Sequence, residues 1–370
     1  MSPRQPSASR TAMLTAMLLG GASSQAASLP VGLGWHELPN TRLRAYCPSE
    51  SVYPDIGGGS HCAAVTGAWS GAVFDAAGNR LLIHGGGHSD WGGNEIYELD
   101  LDTVAMRRIN EPSYPVRDGC AFGGTNPDGR PVARHTYNNI EYLPVQNLMF
   151  LYGGSRWSCG YFGDDTWTFN PATDTWTARS NVNAPRGEFS LSIVRDPVSG
   201  LLYARDTNNL YSFNPANFSW SKRSADNDLS VNSYKAGVID PLRRRYFFYV
   251  AGTRSLNSYD ISNPTVQLTM TTTAVPTCSF MDQDAAGWEY DPTLDRLVAW
   301  NGGNALHLLD VDHSTCTELN IAGGPTRVDT GTFGRFRYAP HSGAYVSCNS
   351  IDDNCYILRL SDVIFSNGFQ

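Results

Sequence analysis

The sequence predicts an all-β fold, a six-bladed β-propeller whose ring is closed by an N-terminal outer strand. Three observations predict it: a block repeated along the chain, a set of six hairpin-turn signals, and the composition. Charged residues make up only 17% of the 370 residues, whereas the chain contains 36 glycines and 21 prolines. This balance is typical of a turn-rich β protein, because a helical one would carry more Ala, Glu and Lys.

The repeated block is an aromatic or similar residue, then Asp or Asn three positions later, then a bulky residue nine positions after the first. Five copies are Tyr97, Asp100 and Met106; Trp167, Asn170 and Trp176; Tyr211, Asn214 and Trp220; Asn257, Asp260 and Val266; and His307, Asp310 and Cys316. Tyr356 begins a sixth. Successive blocks start 70, 44, 46, 50 and 49 residues apart, a spacing that predicts propeller blades with one insertion in the first interval.

Six hairpin turns are predicted upstream of these blocks, because Asp and Pro favour tight turns. They are Phe74-Asp75, Tyr142-Leu143-Pro144, Arg195-Asp196-Pro197, Ile239-Asp240-Pro241, Tyr290-Asp291-Pro292 and Tyr338-Ala339-Pro340. The last blade has chain for three strands only, and the segment around Trp35 resembles an unpaired outer strand. We therefore expect the two ends of the chain to share one blade, which removes an exposed sheet edge.

Paired glycines end the second strand of three predicted blades, at Gly86-Gly87, Gly153-Gly154 and Gly302-Gly303. With the aromatic block that follows, these pairs make residues 32–362 resemble the kelch family of β-propellers. The resemblance implies blades of four antiparallel strands around a central channel. A ring of seven blades stays the alternative to the predicted ring of six.

The N-terminus predicts an exported protein. Arg4 and Arg10 precede a short apolar stretch, and Ser24-Gln25-Ala26 provides small residues for cleavage, so residues 1–26 are predicted to be a signal peptide. Residues 27–370 then form a single propeller domain, periplasmic or extracellular. The mature chain carries 25 Lys and Arg against 35 Asp and Glu, a net charge of −10, which argues against a nucleic-acid partner. No later apolar run is long enough for a membrane anchor.

Eight cysteines in an exported chain predict disulfide bonds. The predicted pairs are Cys120 with Cys159, Cys47 with Cys62, Cys348 with Cys355, and Cys278 with Cys316. Positions in neighbouring loops or across one turn support the first and third pairs. The last pair follows by exclusion.

Long insertions are predicted on one face of the ring, because the loop after a second strand and the link between blades open on the same side. They are residues 39–66, 85–94, 109–133 and 153–165. Ordered loops of this length in a compact domain are usually functional. We therefore expect the functional site above blades 1 and 2.

These loops carry the side chains needed for proton transfer on an acidic sugar, namely a base, an acid and a group that neutralises a carboxylate. The candidate catalytic residues are His84, His88, Tyr137, Arg134 and Arg156. The candidate substrate-binding residues are His61, Trp91, Asn94, His135, Asn138, Trp157 and Arg117. The order of histidines, tyrosine and arginine resembles that of propeller-type polysaccharide lyases such as the ulvan lyases, which implies β-elimination on an acidic, uronate-containing polysaccharide or oligosaccharide.

Several alternatives remain at this stage. The propeller could bind glycans or proteins without chemistry, since aromatic rings stack on sugars in either case. A sugar mutarotase of the kelch type would match the size and the export. The lyase chemistry requires no cofactor, but His84 and His88, with Asp90 or His61, offer ligands for a divalent metal such as Zn or Ca. The histidines favour an enzyme, because a binding module does not need them beside a tyrosine and an arginine.

Overall fold

A computed structural model describes Met1 and residues 28–360, apart from residues 55, 59–60, 122, 160, 189–190 and 225–235. It contains 24 strands in six antiparallel four-stranded sheets, arranged as the blades of a six-bladed β-propeller. This confirms the fold predicted from the repeat. The rest of the predicted signal peptide, residues 2–26, lies outside the described residues.

The strands are numbered along the chain. Strand β1 spans Gly34–Glu37 and belongs to the last blade. Blade 1 contains β2 (Gly71–Asp75), β3 (Arg80–His84), β4 (Tyr97–Asp100) and β5 (Ala105–Arg108). Blade 2 contains β6 (Ile140–Leu143), β7 (Leu148–Ser155), β8 (Phe162–Asn170) and β9 (Thr175–Arg179). Blade 3 contains β10 (Ser192–Arg195), β11 (Leu202–Arg205), β12 (Leu210–Asn214) and β13 (Ser219–Lys222).

The remaining blades follow the same order from the channel outwards. Blade 4 contains β14 (Gly237–Asp240), β15 (Arg245–Tyr249), β16 (Ser255–Asp260) and β17 (Met270–Ala274). Blade 5 contains β18 (Gly287–Asp291), β19 (Arg296–Trp300), β20 (Ala305–Asp310) and β21 (Thr315–Asn320). Blade 6 contains β22 (Phe336–Ala339), β23 (Ala344–Ser347) and β24 (Tyr356–Arg359), with β1 on its outside.

Helical structure in the described residues is confined to single turns. One α-helical turn, α1, spans Ala64–Gly67. Short 3-10 helices span Leu43–Tyr46, His61–Ala63, Ser279–Asp282 and Phe333–Arg335. None of these helices is long and apolar enough to cross a membrane.

The ring closes as predicted. Strand β1 pairs antiparallel with β24, with Trp35 opposite Leu358. The Trp35 ring is 8% exposed and packs on Trp300 of blade 5, with 5.0 Å between ring centroids, and on Phe336. The two ends of the chain therefore bury an apolar seam and together complete the four strands of blade 6.

The repeated Asp-Pro signals lie in the turns between the first and second strands. In blade 4 the Asp240 carboxylate accepts backbone N–H groups of Leu242 and Arg243 at 2.9 Å. Asp291 does the same for blade 5. A side-chain carboxylate that satisfies turn N–H groups explains why Asp recurs at this position.

In blades 1, 2, 3 and 5 the other repeated block marks the third strand, the following turn and the fourth strand, whereas Val266 of blade 4 lies before β17 and is exposed. Asn214 at the end of β12 accepts the backbone N–H of Ala216 at 2.9 Å, which closes the turn. Trp220 on β13 is 2% exposed and packs on Phe150 of blade 2 and Phe213. The aromatic at the end of the block therefore fills the apolar layer between adjacent blades, the main source of stability in this fold.

All four predicted disulfides are present. Cys47 pairs with Cys62, Cys120 with Cys159, Cys278 with Cys316, and Cys348 with Cys355. The pair of Cys120 and Cys159 joins the long link between blades 1 and 2 to the loop between β7 and β8. Four disulfides fit a protein exported to an oxidising compartment.

Candidate functional site

The glycine-rich loop between β3 and β4 packs directly on the segment that leads into blade 2. Gly87 has φ of 89°, and a Cβ there would lie 2.3 Å from the Cα of Arg134. A Cβ on Gly154 would lie 2.2 Å from the carbonyl oxygen of His135. Only glycine allows these close approaches. The loop is thereby held over His135.

Three side chains form a hydrogen-bonded chain beneath this loop. His135 Nε2 lies 2.8 Å from Asp90 Oδ2, and His135 Nδ1 lies 3.2 Å from Tyr137 Oη. With a neutral imidazole, Nε2–H donates to the carboxylate and Nδ1 accepts from the phenol. His135 and Tyr137 are 3% and 1% exposed, whereas the Asp90 side chain is 32% exposed. The chain therefore runs from solvent into the protein.

The electrostatics of the chain favour a neutral histidine beside an ionised carboxylate. The hydrogen bond from His135 is the main reason that the pKa of Asp90 falls below its ordinary value. Burial lowers the pKa of His135, although Asp90 acts in the opposite direction. A neutral imidazole facing a phenol can accept its proton, and the carboxylate stabilises the imidazolium that forms.

Aromatic side chains surround the chain. Trp69, which precedes β2, lies against the His135 ring at 5.2 Å between centroids with 32° between the planes. Phe333 of blade 6 meets Tyr137 edge-on at 5.7 Å. His88 is exposed, and its ring lies 6.0 Å from that of His135. Blades 1, 2 and 6 thus all contribute to the site.

Four of these residues have left-handed backbone conformations. Trp69, His88, Tyr137 and Phe333 have φ values of 46°, 43°, 46° and 47°. For bulky residues this conformation costs about 1–3 kcal/mol each and persists only where the surroundings impose it. One such constraint is the hydrogen bond from the backbone N–H of Tyr137 to the carbonyl of Trp69, at 2.7 Å. Such strain is typical of functional sites.

The two candidate catalytic arginines form a separate cluster around one carboxylate. Asp165 Oδ1 lies 2.8 Å from Arg134 Nη1 and 2.9 Å from Arg156 Nη2. Asp165 Oδ2 accepts a hydrogen bond from Trp167 Nε1 at 2.6 Å. Burial alone would raise the pKa of Asp165, but the two guanidinium groups together have the larger effect and hold this pKa at about 2. Since Arg134 is fully buried, this cluster joins β8 to the segments before β6 and after β7.

His84 is separated from His88 and belongs to the core. Its ring is fully buried against Trp176 of blade 2, and Nδ1 lies 3.1 Å from the carbonyl of Glu95. Burial lowers the pKa of His84 to about 4. Among the described residues, no group of three His, Cys, Asp or Glu side chains is placed to hold a metal ion.

Three of the candidate substrate-binding residues are buried and satisfied within the protein. Trp91 is 2% exposed and donates to Glu95 Oε1 at 2.9 Å. Asn94 is fully buried and donates to Ser113 Oγ and to the carbonyl of Pro131, which fixes the long link. Asn138 accepts the backbone N–H of Gly237 from blade 4.

The other candidates stay at the surface. His61 is exposed and lies 3.1 Å from Glu50. Trp157 is half-buried. Its ring packs so closely on Gly92 that a Cβ added to that glycine would lie 2.9 Å from the ring. Arg117 is half-buried on the long link. The structure thus brings Tyr137, His135 and His88 together, and places Arg134, Arg156 and His84 elsewhere.

Sequence reasoning missed three members of the site. Asp90 was considered only as a metal ligand, and Trp69 and Phe333 were not considered. Asp90 lies 45 residues from His135, so no local pattern connects them. The one available signal was its place in the glycine-rich loop.

No protein-family model matches this chain, and no curated protein matches its sequence, so the kelch interpretation of the repeat stays a prediction. Among solved structures, the chain resembles an auxiliary nutrient binding protein from Bacteroides ovatus ATCC 8483. The TM-score is 0.50 with 11% sequence identity, over 80% of this chain and 69% of that one. This likeness shows a shared propeller fold.

Proposed function

We propose that the protein is an exported, carbohydrate-active propeller that cleaves an acidic polysaccharide by β-elimination. The observation that carries the proposal is the hydrogen-bonded chain of Asp90, His135 and Tyr137. A buried phenol hydrogen-bonded to a neutral imidazole, itself held by a carboxylate, is an arrangement suited to proton abstraction.

In the proposed reaction, the loop that carries Asp90 opens to admit the uronate, because Tyr137, the base, is only 1% exposed. Its phenol proton moves to Nδ1 of His135, and the phenolate takes the C5 proton of the uronate. The C5–H electrons form the C4–C5 double bond as the C4–O bond breaks. His88 in its protonated form gives a proton to the leaving oxygen. Asp90 stabilises the imidazolium of His135 while it holds the extra proton.

The arginines have a supporting role in this proposal. Arg134 and Arg156 both bond to Asp165, which neutralises one of their two charges, and their side chains are no more than 13% exposed. Proton transfer, and not neutralisation of the substrate carboxylate, is therefore the feature that supports the lyase assignment.

The direct test is a panel of acidic polysaccharides incubated with the purified protein, with the absorbance of the new conjugated double bond followed over time. Tyr137→Phe keeps the ring packing and removes the base, so we expect the rate to fall by about 10²–10⁴-fold. Tyr203→Phe is the matched control, because that buried phenol in blade 3 has no hydrogen-bond partner among the described residues. Full activity in Tyr137→Phe would contradict the assignment of the base.

A second candidate function, glycan binding without cleavage, is favoured by the aromatic residues beside Cys159. Tyr161 is 77% exposed, and Trp157 is half-buried in the same disulfide-pinned loop. Exposed rings on a rigid loop suit stacking on sugars. If Tyr161→Ala weakens retention on a polysaccharide affinity gel and the wild type forms no unsaturated product on any substrate, binding is the function.

A further inference from the structure

The inner strands show a pattern at the end of the channel opposite the candidate site. Matching positions on the six inner strands lie three residues before the alanine or proline of each first turn, and therefore at the same depth; they are Val73, Glu141, Val194, Val238, Glu289 and Arg337. Three blades have valine at this depth, so the channel can be lined with apolar side chains. The other three blades place charged groups there.

Arg337 contacts both of the glutamates. Arg337 Nη1 lies 2.9 Å from Glu289 Oε1 and 3.8 Å from Glu141 Oε2. Arg337 Nε donates to the carbonyls of Ala72 and Gly334. Arg337 is 8% exposed, and its Nη2 is buried with no hydrogen-bond partner among the described residues. One donor of the cluster is therefore unused.

A preformed cavity of about 280 Å³ lies at this cluster, near the lower end of the range of ligand pockets. Its walls include the aromatic rings of Phe74, Tyr290 and Tyr338. Blades 2, 3, 4 and 6 each add a turn proline to its lining. Since proline fixes φ, the mouth is rigid before any ligand arrives, which lowers the entropic cost of binding.

The charges of the cluster nearly balance at neutral pH. One guanidinium lies between two carboxylates and cannot neutralise both. Although 22% of the Glu289 side chain stays exposed to the channel, burial raises its pKa to about 7, and the charge of Glu141 adds to this effect. Below about pH 7 the three side chains therefore offer a guanidinium, a carboxylate and a carboxylic acid, which together supply both donors and acceptors and carry no net charge of their own.

We propose that this cavity binds a small, neutral, polyhydroxylated molecule of the size of one sugar ring. The hydroxyl groups would bond to Arg337, Glu289 and Glu141, and the apolar face of the ring would lie on the aromatic walls. The guanidinium of Arg195 also lines the cavity and adds a positive charge, which argues against cations. The site is distinct from the proposed lyase centre, because its lining includes Glu141 and Tyr142 of β6 but none of Asp90, His135, Tyr137 and His88.

A purely structural role is the competing explanation, since Arg337 also bonds to the backbone of blade 1. Buried ion clusters are often no more stabilising than apolar side chains of similar size, and three blades use valine here. A structural role predicts that the cluster affects stability and that no sugar binds in the cavity.

Isothermal titration of the full-length mature protein with glucose, galactose and mannose tests the proposal, with tetramethylammonium chloride as the cation probe. We expect at least one sugar to bind at pH 6 and to weaken about fivefold or more by pH 8.5, as Glu289 ionises and loses its O–H donor. The other titratable groups that line the cavity are Glu141, Arg195, Arg337 and the phenols of Tyr142, Tyr290 and Tyr338.

Glu289→Gln should keep the affinity measured at pH 6 across the whole pH range. Tyr338→Ala should weaken binding about tenfold without altering the charges. Glu318→Gln, an exposed change on β21, and Tyr137→Phe on the opposite face should both bind as the wild type does. The proposal is overturned if no sugar binds, if tetramethylammonium binds instead, or if Tyr338→Ala and Glu289→Gln both behave as the wild type.

Discussion

Two charged clusters lie side by side where the chain enters blade 2, and they differ in how far their side chains are exposed to solvent. The cluster of Asp165, Arg134 and Arg156 is enclosed, with side chains no more than 13% exposed. The chain of Asp90, His135 and Tyr137 has an end that is 32% exposed and an exposed histidine, His88, beside it. Charge that is enclosed and paired holds loops together, whereas charge that stays accessible can exchange protons with a substrate.

Removal of the shared carboxylate should have the largest effect on stability. In Asp165→Asn, two guanidinium groups lose their common partner, and we expect a loss of about 3–5 kcal/mol in the free energy of unfolding, as for other broken buried pairs. Asp164→Asn is the matched control, since the neighbouring carboxylate is exposed, and it should change stability by less than about 0.5 kcal/mol. Urea denaturation measures both. Equal effects would show that the cluster is not the structural support described here.

Loss of the disulfide between Cys120 and Cys159 should have the next largest effect. The bond spans 39 residues, so a Cys120→Ser and Cys159→Ser double variant should lose about 2–4 kcal/mol. We expect limited proteolysis to cut first within residues 109–133, because that link would lose its covalent attachment to blade 2. Resistance of this segment equal to that of the wild type would contradict its dependence on the disulfide.

The buried His84 should make the protein sensitive to acid. Its pKa is about 4 in the folded protein, below the ordinary value of 6.5. Between these two pH values, His84 is protonated in the unfolded chain but neutral in the folded protein. Stability should therefore fall by up to about 3 kcal/mol as the pH drops from 6.5 to 4. The carboxylate of Asp165, with a folded pKa of about 2 against 3.8, contributes stability that is lost only below about pH 3.8.

Urea denaturation at a series of pH values separates these two windows. In His84→Asn, the free energy of unfolding should depend less on pH between 6.5 and 4. His341→Asn, which removes an exposed histidine, should leave this pH dependence unchanged. A slope that survives in His84→Asn would assign the acid sensitivity to another group.

The smallest effect on stability is expected at the open site. His88→Ala removes an exposed side chain and should change the free energy of unfolding by less than about 0.5 kcal/mol. If His88 is the acid, the same change should slow product formation by about 10²-fold or more. Comparable losses of stability and activity would make His88 a structural residue.

The parts of the fold that were predictable depend on local chemistry. Asp240 and Asp291 recur because each closes its own turn, and Trp176 and Trp220 recur because each fills the apolar layer against a neighbouring blade. Such patterns repeat at fixed spacing in the sequence. Trp35 was identifiable as the closing strand because the last blade lacked one.

The candidate site was only partly predictable, because its contacts join distant loops. His135 and Tyr137 are two residues apart and their proximity was visible, but the contact of His135 with Asp90 depends on how two loops pack. The pairing of Arg134 and Arg156 with Asp165 likewise joins three separate segments, so no local pattern connects them. In contrast, the channel cluster of Glu141, Glu289 and Arg337 could have been found by aligning the six turns.

The central claim is that Asp90, His135 and Tyr137 act as one unit in catalysis, and a double-mutant cycle on kcat/KM tests it most directly. We expect Tyr137→Phe to reduce kcat/KM by about 10²–10⁴-fold and Asp90→Asn by a smaller factor. The double variant should then be no slower than Tyr137→Phe alone, because Asp90 acts only through the proton that Tyr137 releases. Reductions that multiply in the double variant would contradict the account.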